Sequence, residues 1–84
     1  MHNRHRKTLQ AVFAYPLSGV IEWNAIETLL AAVGATAIEG RGSRVRFVCG
    51  KALVTFHRPH PGKDARPYQV RDARGFLETI GVTP

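Results

Sequence analysis

The chain predicts a small α+β domain: a short helix, a longer helix, three strands and a final helix, with the helices on one face of a three-stranded antiparallel sheet. Three observations carry this expectation. Ile26, Leu29, Leu30 and Val33 recur at helical spacing. Val45 and Phe47 alternate with Arg44 and Arg46, the period of a half-buried strand. Val70, Ala73, Leu77 and Ile80 then return to a helical stripe. With 84 residues there is room for one domain and one small core.

Taken in order, MHNRHRK is basic and offers no apolar partners, so residues 1–7 are expected to form a flexible arm ahead of a domain spanning 8–84. Leu9, Val12 and Phe13 predict a short helix from about Leu9 to Ala14, which Pro16 would end. Asn24, with Glu27 three residues on, fits a capping box for a helix over residues 25–33. Trp23 is expected just outside that helix, packed over its first turn, and Gly34 suits a left-handed cap. Residues 35–39 form a first strand candidate, and Gly40 and Gly42 around Arg41 mark a turn. SRVRFV is the second strand, with Val45 and Phe47 inward. KALVTFH is the third, with Val54 and Phe56 inward and Leu53, Thr55 and His57 outward. Pro59 has no amide hydrogen and stops the ladder, leaving residues 59–67 as the main loop. The last helix lies within residues 69–81, where Gly75 costs about 1 kcal/mol against alanine.

Composition narrows the partners. Twelve Lys and Arg against six Asp and Glu leave a net charge of +6, which favours an anionic partner such as RNA or an acidic protein. Nine of the twelve cations are arginines, whose planar fork suits phosphates and carboxylates. Cys49 is the only cysteine, which excludes an intrachain disulfide and a cysteine-based zinc cluster. No apolar run approaches the ~18 residues of a membrane span, so a cytoplasmic soluble protein is expected.

The strand alternation places Arg44, Arg46, Thr55 and His57 on an open face opposite the helices, while Lys51, Arg58, Lys63 and Arg66 sit in adjoining turns. These six cations are the candidate RNA-binding set, with contacts to phosphates across the sheet and its loop. Metal-free RNA cleavage needs a group to take a proton from the 2′-hydroxyl and to protonate the leaving oxygen. Histidine suits both, with a free pKa of about 6.5. Arginine stays protonated and stabilises the charge of the transition state. His57 and His60 are therefore the proton-transfer candidates and Arg44 the charge candidate; His57 shares the open face with Arg44. Two histidines are too few donors for a metal site, so no metal or cofactor is expected.

The leucine-rich helix, Gly42-Ser43 opening a basic strand, Pro59-His60-Pro61 after the next strand, and a terminal helix closing in Gly81-Val82 together resemble the HicA family over about residues 22–82. HicA proteins are small toxins of bacterial and archaeal toxin–antitoxin systems. The resemblance implies a double-stranded-RNA-binding-domain-like fold, α-β-β-β-α, preceded here by an extra short helix. It also implies mRNA cleavage and a HicB-like antitoxin as partner. In the family pattern Gly-Ser is followed by a catalytic histidine; here Arg44 stands in that place. The Pro-His-Pro match points to His60, whereas the strand face points to His57, and both stay open. Two other functions fit the same residues: a non-catalytic RNA-binding module, and a protein-interaction domain for an acidic partner.

Overall fold

The computed structural model describes residues 1–17 and 19–84. The elements are α1 (Asn3–Phe13), α2 (Trp23–Ala32), β1 (Thr36–Glu39), β2 (Arg44–Cys49), β3 (Ala52–His57) and α3 (Pro67–Thr79). The strands form one antiparallel sheet in the order β1-β2-β3, and the chain is α+β in the expected order.

Why the sheet has two unlike faces follows from its pleat. Val45, Phe47 and Phe56 point to one side and are buried, while Arg44, Arg46, Leu53, Thr55 and His57 point to the other and are exposed. The buried side receives Leu9 and Val12 of α1, Ile26, Leu29 and Leu30 of α2, and Val70, Ala73, Phe76 and Leu77 of α3. Trp23 and Phe56 meet edge to face with ring centroids 4.8 Å apart, joining α2 to the sheet. α3 lies against β3, and α1 packs on α2 and α3. Gly34 ends α2 at φ 102°, where a side chain would be strained.

Four expectations are corrected. The first helix is longer than its apolar residues suggested: the basic opening is helical from Asn3. The His2 imidazole accepts from the Arg4 amide at 3.2 Å, and Thr8 Oγ1 donates to the Arg4 carbonyl. The cations there face solvent, so they add no apolar period by which to see the helix. Second, Trp23 is the first residue of α2 rather than its neighbour, and the N-cap is Glu22. Third, Asn24 and Glu27 form no capping box, because Glu27 turns to Trp23 Nε1 (2.6 Å) and to Arg58. Fourth, α3 begins at Pro67, earlier than expected, and the loop ahead of it is pinned to the segment before α2. The Trp23 amide donates to Lys63 O and the Ala65 amide to Ile21 O, both at 2.8 Å, in a bridge between Glu22 and Asp64.

Candidate nucleic-acid interface

The open face is ordered by register. Arg44 stands across from His57, Arg46 lies between Ile38 and Thr55, and Val48 lies between Thr36 and Leu53. This makes one cationic end, a mixed middle row and an apolar end, with no carboxylate among the eight residues. The Arg58 amide donates to Ser43 O at 2.9 Å, so Ser43 and Arg58 form a hydrogen-bonded pair beyond the strand end. The next pair, Arg44 and His57, is then a non-hydrogen-bonded one, whose side chains lie closest in an antiparallel ladder, with Cα atoms about 4.5 Å apart. Arg46 is two residues further, about 7 Å along the same face.

Both partners of that pair are held from behind. Gln69, 1% exposed, donates from Nε2 to the His57 carbonyl at 2.7 Å and accepts the Arg66 amide at Oε1 (2.9 Å), which ties the end of β3 to the start of α3. Arg44 is seated by Gly40: the Gly40 amide donates to the Arg44 carbonyl at 2.8 Å, and the arginine stem lies over the glycine. A Cβ at position 40 would stand 3.1 Å from Arg44 Cβ and 3.2 Å from Cδ.

The six cations expected to act together are divided by the fold. Arg44 and Arg46 share the open face. Lys51 is exposed in the β2–β3 turn, at the opposite end of the hairpin from Arg44. Lys63 reaches Glu22 at 3.1 Å, and Arg66 precedes α3. Arg58 is the clear departure. As the residue after His57 it alternates to the covered side, where its guanidinium grips two carboxylates. Nε and Nη2 donate to Glu27, both at 3.0 Å, and Nη1 and Nη2 donate to Glu39 at 2.7 and 2.8 Å. Hydrogen bonds to Glu39 and then Glu27 push the Arg58 pKa further up, and the Arg58 hydrogen bond holds the Glu39 carboxyl below its usual range. Arg58 is thus a brace among α2, β1 and β3, and its charge is already answered. His60 is exposed in the bend after β3, beyond the paired strand, and no register places it opposite Arg44.

Gly40 and Gln69 were missed as site residues. Gly40 reads from sequence only as a turn glycine. Gln69 did carry a signal, since it stands three residues after the N-cap with Pro67 between, a position from which glutamine caps. Among the described residues, no three His, Cys, Asp or Glu side chains converge to hold a metal ion, and no helix is long and apolar enough to cross a membrane.

Compared with known families, residues 23–82 match the model described as HicA toxin of bacterial toxin-antitoxin. The chain belongs to the HicA toxin family. The matched segment holds α2, the whole sheet and α3, and leaves α1 outside. No curated protein and no solved structure matches the chain. As a HicA-family toxin it carries Arg44, opposite His57, at the start of its second strand.

Proposed function

We propose that this HicA-family protein engages mRNA on the open face of its sheet and cleaves it without metal, in the cytoplasm, under the control of a HicB-like antitoxin. The observation that carries the reading is the exposed group Arg44, Arg46 and His57 on one face, with Arg44 directly across from His57. Arginine forks on adjacent pleats suit successive phosphates. The neutral His57 imidazole takes the 2′-hydroxyl proton. The 2′-oxygen bonds to phosphorus, the bond to the 5′-oxygen breaks, and the imidazolium returns its proton to that leaving oxygen. Arg44 balances the charge of the phosphorane-like transition state. The register favours His57 over His60 for this work.

The test is cleavage and binding of single-stranded RNA in EDTA. His57→Ala is expected to lower cleavage by about 10² or more while leaving affinity nearly intact. Arg44→Ala should weaken both and reduce the salt slope of binding by about 0.7. His60→Ala should leave both close to wild type. Cleavage unchanged in His57→Ala would refute the proton-transfer assignment. Arg44 in the family's histidine position favours one other reading, an RNA-binding module without catalysis; wild-type affinity with no cleavage and no growth arrest on expression would establish it. Loss of RNA affinity altogether would leave the domain as a binder of acidic proteins.

A further inference from the structure

The two edges of the sheet are treated differently. β1 is four residues long, and its last residue, Glu39, is held in the Arg58 brace. β3 is six residues long and carries no lysine, proline or carboxylate, the usual devices that keep an edge from pairing. Since Ser43 and Arg58 form a hydrogen-bonded pair, the peptide groups of Leu53, Thr55 and His57 point away from β2. Gln69 covers the His57 carbonyl. Among the described residues, no hydrogen bond is made to the outward N–H and C=O groups of Leu53 and Thr55.

Beside this edge runs a groove of about 350 Å³ between β3 and α3, walled by Ala52, Leu53, Val54 and Phe76, with Asp72 and Thr79 along α3. Gly75 opens its rim: a Cβ there would meet nothing within 4 Å. Leu53, 57% exposed, also borders the carboxylate-free face that bears Arg44, Arg46 and His57.

We propose that β3 is a docking edge that takes an extended, acidic segment of a protein partner as a fourth strand. Successive side chains of an added strand alternate between the two faces. Those on the helix side would enter the groove at the Gly75 notch and are apolar, because Asp72 disfavours acids there. Those on the open side would lie beside Thr55 and His57, within reach of Arg44, and are acidic. Charge also selects against a second copy, which would bring another +6 and lay its own Arg44 and Arg46 along the same face. The inference rests on the strand edge and stands whether or not the open face binds RNA.

The probe is a displayed library of random dodecapeptides selected on the full chain, followed by anisotropy with the synthetic winners. Selected peptides should alternate acidic and apolar residues. Thr55→Pro removes one outward N–H without touching the β2 ladder and should lower their affinity roughly tenfold. Gly75→Leu fills the notch, suits a helix better than glycine, and should weaken peptide binding to a similar degree while leaving RNA affinity unchanged; it carries the test if the proline variant does not fold. Failure to select any peptide, or winners that bind both variants as well as wild type, would overturn the proposal. So would a concentration-dependent dimer in sedimentation that Thr55→Pro abolishes, which would assign the edge to a second copy.

Discussion

Arg44 owes its place to Gly40. An arginine at a strand start is free to sweep a wide arc, and only a backbone without a Cβ lets its stem lie this close to the preceding turn. Gly40→Ala is therefore expected to push the arginine off its rotamer at a cost of about 1 kcal/mol. RNA affinity should fall and the thermal midpoint should drop by roughly 4–8 °C, which anisotropy and a melt would read together. An affinity equal to wild type would show that Arg44 works from more than one orientation. None of this was legible in the sequence, where Gly40 is one of two glycines around Arg41. The inward and outward residues of β2 and β3 were legible, because a period of two leaves no other way to bury Val45, Phe47 and Phe56 together.

At the scale of elements, the Arg58 brace is what sequence reading could not reach. Its carboxylates lie 31 and 19 residues away along the chain, and nothing in HRPHP distinguishes a cation that meets phosphate from one that meets Glu27 and Glu39. Only the strand parity, carried one residue past His57, puts Arg58 on the covered side. The start of α1 escaped for the opposite reason: its cations face solvent and repeat no apolar spacing. The brace predicts a pH dependence. The Glu39 carboxyl sits below its usual range chiefly through the Arg58 hydrogen bond, so the folded state binds fewer protons than the unfolded one. Its contribution is present above the unfolded carboxylate pKa of about 4.3 and is lost as pH falls through the lower folded value. The thermal midpoint should decline with acid across that window, and Glu39→Gln should lower the neutral midpoint slightly and flatten the decline. The effect is small, because Glu39 is largely exposed. An acid profile identical in wild type and Glu39→Gln would remove the brace from the account.

At the scale of the whole molecule, cations lie on both sides. Arg44 and Arg46 occupy the open sheet face, and exposed Arg4, Arg6 and Lys7 ride on α1 in the helical layer. A net charge of +6 draws polyanions without choosing between these surfaces. The choice comes from arrangement: the sheet presents two forks at a fixed spacing beside His57, whereas the α1 cations fan around a helix. The most direct measurement is an amide NMR titration of the full chain with a short single-stranded RNA at moderate salt. The account predicts that shifts gather at residues 44–46 and 55–57 and in the turn at Gly40, with α1 and α2 nearly silent. Shifts confined to residues 3–13, with the sheet unmoved, would contradict it.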